Sequence, residues 1–344
     1  MRPSRQPRGL DLPSDFFPRD EDAIHRKDLM FLAAIPGFAV IAWSCSDSVC
    51  LKLARRLTRE LYSRRPQRYG EFNEIFRDYL PDNPNSDRVA ALSCEAAALQ
   101  HLERFQLLRY HRPGSWRPRT TVVGAEHIDR ALAQGKGAIL WIAFSTFSDM
   151  ISKVALYQRG YEAWHLSRHI HGHLSSTRFG VRFINPIRIS IERRFLADRV
   201  VIDPADPKAA VSRLEELLAD NQLVSITVGA SARRVTLVPF GPSFLPLAGG
   251  APHLALKTNA PLLPLFTERK DDGSFLVTIE PPLEPPLEGS RAEQIEALVF
   301  DLGRRLRHYF ERLPTQFLYA RLHSDRRRCE AFIAKQGETG EPTA

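Results

Sequence analysis

The chain has 344 residues, a formal net charge of +8 and a sequence pI near 9.5, which is enough for one large α/β domain with a smaller appendage. Hydrophobic residues are 43% and charged residues 26%, a globular composition in which disorder is expected only at the ends. The basic balance suits anionic partners, a phospholipid surface, nucleic acid or a phosphorylated small molecule, without choosing among them, while four scattered cysteines with no Cys-x-x-Cys pair suggest neither a zinc site nor a disulfide framework and fit a reducing compartment.

Residues 1–27 read as a flexible arm rich in Pro, Arg and Asp, with no apolar run and hence no signal peptide. Leu29 to Trp43 is the most apolar segment. It falls short of the roughly 20 residues of a spanning helix, and Pro36-Gly37 interrupts it. With Arg26-Lys27 before it and Lys52, Arg55, Arg56 and Arg59 after it, it reads either as a monotopic membrane element or as a buried helix hairpin. Val49 to Tyr62 is an amphipathic helix with Val49, Leu53, Leu57 and Leu61 on one face. Phe72 to Leu80 and Arg88 to Arg109 are also helical, the latter with a stripe of Leu92, Ala96, Leu99 and Leu102. Residues 28–118 thus form an all-helical region, ending in a linker from His111 to Pro118.

From residue 119 to 313 strands and helices alternate, which predicts a mixed, mainly parallel sheet flanked by helices. Expected strands are Thr120–Val123, Ala138–Phe144, Glu162–Leu166, Arg199–Ile202, Leu223–Val228, Val235–Pro239 and Pro261–Thr267. Phe275–Ile279 follows the turn Asp271-Asp272-Gly273 and reads as an antiparallel edge strand. The helices between them include Asp149–Arg159 and Pro207–Asn221, and Ala292–Arg312 closes the domain. Residues 314–344 read as a basic surface tail. The central strand is the continuous apolar run Ala138 to Ala143, the form of a strand covered on both faces. The polar turn Ser145-Thr146-Phe147-Ser148-Asp149 follows its carboxyl end, where open α/β sheets bind ligands. Phosphate-loop, dinucleotide and nucleophile-elbow motifs do not occur.

The order of these pieces resembles the bacterial lauroyl/myristoyl lipid A acyltransferases of the glycerolipid acyltransferase superfamily. The likeness rests on Gly124, Glu126-His127, Ala131, Gly135, Gly137 and Ile139-Leu140. Val238-Pro239-Phe240-Gly241, Ala260 to Pro264 and Ile279 to Leu283 extend it across roughly residues 25 to 325. The resemblance implies an acyl-CoA or acyl-carrier-protein donor, no resident cofactor or metal, and an anionic membrane lipid as partner rather than nucleic acid. It implies a peripheral or monotopic position on the cytoplasmic face of the inner membrane, acyl transfer as the activity, and a His-x4-Asp/Glu motif. Here Phe144 stands where that motif's histidine belongs, while Asp149 keeps the carboxylate's place, with Ser148 as an expected N-cap. Phenylalanine takes no proton, and loss of the base costs about 10²- to 10⁴-fold in rate.

A replacement base is expected from the segment after the next strand, where His165, His169, His171 and His173 are four of the chain's 11 histidines. His171 is the first candidate, because Gly172 beside it permits close backbone approach; His169 is the second. Three of these imidazoles on one strand face also admit a zinc reading. The amides of Ser145 to Ser148 at the helix start are candidates to polarise a thioester carbonyl, and Ser145 and Ser148 to contact substrate. Arg168, Arg178, Arg233 and Arg234 are candidates to hold a phosphate; Glu192-Arg193-Arg194 and Asp198-Arg199 read as surface ion pairs. Acyl transfer, a catalytically silent relative that binds lipid or acyl carrier, and a thioesterase are the readings left open.

Overall fold

A computed structural model describes residues 9–11, 22–64, 70, 73–74, 76–77, 79–81, 83, 89–168, 175, 177–203, 205–230, 232, 234–241, 243–317 and 325–334. Its centre is a seven-stranded mixed sheet. The strands are β2 (Thr120–Val123), β3 (Ala138–Ile142), β4 (Trp164–Arg168), β5 (Asp198–Ile202), β6 (Leu223–Thr227), β9 (Leu262–Arg269) and β10 (Phe275–Ile279). They lie in the order β2-β10-β9-β3-β6-β4-β5. β9, β3, β6, β4 and β5 run parallel; β10 is antiparallel to β9 and parallel to β2. The expected fold class is the one observed. One detail differs: β10 is antiparallel as expected but lies inside the sheet, because β2 pairs along its outer side.

Every residue of β3 is buried, since apolar layers cover both faces of a central parallel strand. On one face Ile139 and Trp141 join the core of α7 (Pro207–Ala219), α8 (Gly250–Thr258) and α9 (Arg291–Arg312). On the other, Leu140 and Ile142 pack with Ile128 of α4 (Ala125–Leu132) and Ala155 of α5 (Ser148–Gln158). The turn into β3 depends on Gly137 at φ +65°, where a Cβ would stand 2.6 Å from the Gln222 carbonyl oxygen.

A second, antiparallel sheet of three strands is built from β1 (Gly9–Asp11), β7 (Arg234–Phe240) and β8 (Ser243–Ala248), with β7 in the middle. Part of the expected flexible arm is therefore a strand. Part of the expected tail is helical as well: residues 325–334 form a helix whose Cys329 is buried with Leu10, Ala230 and Val235.

The N-terminal helices are α1 (Arg26–Ser44), α2 (Asp47–Arg64) and α3 (Val89–Leu107). α1 runs unbroken through Pro36, whose ring lies on the exposed side. Ala39 and Ala42 pack with Leu102 and Phe105 of α3, and Phe38 stacks on Phe105. The opposite side leaves Leu29, Met30 and Val40 more than half exposed. Among the described residues no helix is long and apolar enough to cross a membrane.

Candidate functional site

β4 and β6 pair only at Trp164↔Val224 and His165↔Ser225. Their other neighbours stay paired to the ends of both strands, β6 with β3 as far as Thr227 and β4 with β5 as far as Ile202. The sheet therefore splits at its carboxyl side just beyond His165 and Ser225. A cavity of about 440 Å³ occupies the split. Trp141, Leu166, Ile202, Leu214, Ile226 and Leu254 form its apolar wall, and Asp149, His165, Arg168 and Arg188 line its polar end.

Phe144 is buried in the main core and packs edge-on against Phe317, whose ring in turn meets Phe310. An aromatic cluster thus occupies the place of the motif histidine. The next residues are used up in their own turn. Ser145 N–H donates to Ser148 Oγ (3.0 Å), Thr146 N–H to the Gln316 carbonyl (2.7 Å) and Ser148 N–H to Ser145 Oγ (3.2 Å). The Ser145 hydroxyl donates to the Thr267 carbonyl (3.0 Å). The amides of Ser145, Thr146 and Ser148 and the Ser145 hydroxyl thus have acceptors within the protein. The capping role also moves, since Ser145 accepts from the α5 terminus and Ser148 is the first residue of that helix.

Asp149 sits in the first turn of α5, one quarter exposed. Arg188, on α6 (Asn185–Glu192), grips it as a fork: Nε donates to Oδ2 (3.1 Å) and Nη2 to Oδ1. Arg104 of α3 adds Nη2 to Oδ2 (3.1 Å), and Lys153 Nζ lies 3.9 Å from Oδ1. Burial alone would raise this carboxyl's pKa; Arg188, Lys153 and Arg104 together hold it well below the ordinary carboxylate range. Asp149 is thus a fixed anion and not a proton acceptor.

The network continues inward. Lys153 Nζ pairs with Glu192, which is fully buried, and Glu192 is also met by Arg199 (3.7 Å) and His165 Nε2 (4.0 Å). The other nitrogen of His165, Nδ1, is 2.9 Å from Ser225 Oγ. Two helices thus face each other with acid–base pairs of reversed order, Asp149/Lys153 on α5 and Arg188/Glu192 on α6. The sequence reading of Glu192 and Arg199 as members of surface pairs is corrected, because only Arg193–Asp198 is such a pair. His101 beside Arg104 stays neutral: burial, and then Arg104, push its pKa down to about 4.

His169, His171 and Arg233 lie outside the described residues. Arg168 ends β4 and lines the cavity. Arg178 is exposed, and its amide bonds the Asp22 carbonyl. Arg234 opens β7 opposite Asp11, 4.0 Å from Glu296. The structure brings neither of these two arginines to the cavity wall, which among the described arginines is lined by Arg168 and Arg188. Sequence reasoning missed Arg188 and Glu192, because their four-residue spacing, shared with Asp149 and Lys153, is also that of an ordinary exposed helix pair. Among the described residues no cluster of three or more His, Cys, Asp or Glu is placed to hold a metal.

No protein-family model matches this sequence, and no curated protein matches it. Among solved structures it is similar to the crystal structure of the 1-acyl-sn-glycerophosphate (LPA) acyltransferase PlsC from Thermotoga maritima. The two share 14% identity with a TM-score of 0.36, over 76% of this chain and 98% of that one. The chain itself is an α/β protein with a mainly parallel seven-stranded sheet flanked by helices and an N-terminal helical region.

Proposed function

We propose that this chain is an acyltransferase that takes a fatty acyl group from acyl-CoA or an acyl-carrier protein and passes it to a hydroxyl or amine of a lipid or glycolipid. The carrying observation is the split between β4 and β6, an apolar cavity of about 440 Å³ with His165, Arg188 and Asp149 at its polar end. An acyl chain is a natural occupant of such a cavity, which falls within the usual range of about 300–1,000 Å³ for small-molecule sites. Phe144 removes the base of the resembled motif, so the proton acceptor has to come from the segment 165–173. His165 is its described member, lining the cavity with the Glu192 carboxylate behind it. General-base acyl transfer needs a ring nitrogen directed at the acceptor's proton, so His165 serves only by turning Nδ1 away from Ser225 Oγ. His171 and His169 remain candidates for the same role. The exposed apolar side of α1 suits docking on an anionic membrane surface, where such an acceptor resides.

The test uses purified protein, a labelled acyl donor and a membrane lipid extract. Label appearing in lipid is expected, and His165→Gln, His169→Gln and His171→Gln identify the base by which one removes it. Free fatty acid as the sole product would instead make the protein a thioesterase. A second reading, a silent relative that binds acyl ligands without turnover, is favoured by Phe144 in the core and by the saturated Asp149. Donor binding without any product would establish it.

A further inference from the structure

We propose that a second cleft, where α1, α2 and the turn after α3 meet, binds the phosphoethanolamine head group of a membrane phospholipid. The proposal stands apart from the acyl-site reading, because the two sites share no lining residue.

The cleft has a volume of about 660 Å³, and local structure fixes its walls. α1 stops at Cys45, whose backbone is extended, and α2 starts at Asp47. Trp43, near the end of α1, is pinned by its indole N–H, which donates to the Phe105 carbonyl (2.7 Å). Arg109 lays its guanidinium over that ring at 4.2 Å. In the turn after α3, Arg112 N–H donates to the Arg109 carbonyl (2.8 Å) and Ser115 N–H to the Arg112 carbonyl (3.2 Å), which brings a second arginine to the same cleft. Asp47 lines it too. Its Oδ1 accepts from Gln106 Nε2 (3.3 Å) and its Oδ2 from the Trp116 indole N–H (2.8 Å).

Two observations carry it. The first is charge. Asp47, Arg109 and Arg112 are the charged side chains among the cleft's described walls. Opposite charges thus share one cleft, yet among the described residues no ion pair joins Asp47 to either arginine, and neither arginine meets another carboxylate. Such an arrangement complements a ligand that carries both signs. The phosphate takes the guanidinium donors, whose fork suits its oxygens, and the ammonium takes the carboxylate. Asp47 is exposed, and each of its oxygens has room for a further donor. A lone anion would be set against Asp47, and a lone cation against two arginines. A primary ammonium donates up to three hydrogen bonds. A quaternary one donates none and relies on aromatic faces, whereas here the Trp43 ring already carries Arg109.

The second observation is position. At 100° per residue, Leu29, Val40 and Trp43 fall within about 60° of one another on α1, and all three are exposed. Trp43 ends this apolar face and is also a wall of the cleft. A phospholipid meets both surfaces at once, tails beside the apolar face and head in the cleft. A free phosphoethanolamine uses only the cleft.

The full-length protein is titrated calorimetrically with the dihexanoyl forms of phosphatidylethanolamine, phosphatidylcholine and phosphatidylglycerol, each below its micellar concentration. Glycerophosphoethanolamine, which lacks the tails, is the fourth ligand. The ethanolamine lipid is expected to bind about fivefold tighter than the choline lipid, the fold-change of one exposed ion pair. Asp47→Asn keeps an acceptor for Trp116 and is expected to abolish that preference. Arg112→Gln is expected to weaken both lipids about fivefold through the phosphate. The melting temperature should not move, because the Arg112 side chain is exposed and has no ion pair among the described residues. Equal affinity for the ethanolamine and choline lipids overturns the proposal, as does a preference that survives Asp47→Asn or binding that ignores Arg112→Gln. Tightest binding of phosphatidylglycerol overturns it in favour of a plain anion site. Glycerophosphoethanolamine binding as tightly as its lipid overturns the membrane assignment in favour of a free solute.

Discussion

The Asp149 carboxylate and the Arg188 guanidinium meet as a two-point fork between α5 and α6, and that fork changes what the carboxylate can do. A carboxylate that serves an imidazole needs an oxygen directed at it. Here Arg188 takes both oxygens, and Arg104 and Lys153 crowd the same group. Together with Lys153–Glu192 the pair forms a crossed quartet that ties two helices at the cavity's polar end.

Breaking this pair from one side is expected to be costly. Arg188→Met leaves a mostly buried anion with fewer partners, an effect of about 3–5 kcal/mol for a buried pair. The double variant Asp149→Asn/Arg188→Met is expected to lose less than the sum of the two single variants, as neighbours sharing one network do. Urea denaturation of the three variants measures the coupling. The pH dependence has a definite sign. Burial would raise the Asp149 pKa, but Arg188, Lys153 and Arg104 depress it in the folded state. Its contribution is therefore fully present above the unfolded value of about 4 and is lost as pH falls below that toward the lower folded value. Melting temperatures from pH 6 down to 3 should drop more steeply for the native protein than for Asp149→Asn.

Restoring the missing histidine is expected not to restore a motif. Phe144→His places an imidazole against Phe317 in an apolar core, with Asp149 already engaged by Arg188. The expected loss of stability is on the order of 3 kcal/mol, from lost packing and an unpaired buried polar group. Acyl transfer is expected to rise less than tenfold. Denaturation and the lipid-labelling assay on one preparation report both. A hundredfold gain in transfer would show instead that Asp149 can exchange Arg188 for an imidazole.

Much of this architecture is legible in the sequence where one physical cause dominates. The run Ala138 to Ile142 could be read as a central strand because burial on both faces removes alternation. Phe144 and Asp149 could be located by counting along the turn. Other features depend on partners far along the chain. Gly9–Asp11 becomes a strand only because β7 offers an edge, and nothing in three residues announces that. Arg188 and Glu192 have the spacing of an ordinary exposed helix pair; the partner helix, not the local pattern, buries them. Pro36-Gly37 was expected to interrupt an apolar segment, yet α1 continues because packing on α3 holds its other face. The narrowing of β4–β6 pairing to two residue pairs, which opens the cavity, is a property of the assembled sheet and has no local signature.

Glu103 of α3 offers a second titration, of opposite sign. Burial pushes its pKa up to about 8; Arg269, 3.5 Å away, opposes the rise and Asp47 adds to it. The folded protein therefore holds a proton that the unfolded chain releases near the ordinary Glu value of about 4.3. Stability from this group is full below that value and declines as pH rises through the folded pKa near 8. Glu103→Gln keeps a neutral, similarly shaped side chain and removes the titration. Its melting temperature should vary less than that of the native protein between pH 5 and 8.5, with the variant the more stable at the upper end. Parallel curves for the two proteins would mean that Glu103 is ionised throughout.

The last expectation concerns α1. Its inner side is committed to α3 through Phe38, Ala39 and Ala42, while Leu29, Met30, Val40 and Trp43 remain substantially exposed on the helix. Apolar side chains grouped along one helix are costly to leave in water and suit the boundary between head groups and acyl chains. Arg109 lies over the Trp43 ring at 4.2 Å, a cation beside an aromatic of the kind found at lipid interfaces. Lys52, Arg55, Arg56 and Arg59 on α2 add exposed positive charge. Sedimentation with vesicles is therefore expected to be stronger for anionic than for neutral lipid and to be only partly reversed by high salt, because salt screens charge without undoing apolar insertion. Leu29→Glu/Met30→Glu/Val40→Glu is expected to lower vesicle binding at least tenfold while leaving the unfolding midpoint nearly unchanged, since none of the three side chains is buried in the fold. Binding that survives this triple substitution and vanishes in high salt would assign the attachment to the arginines alone.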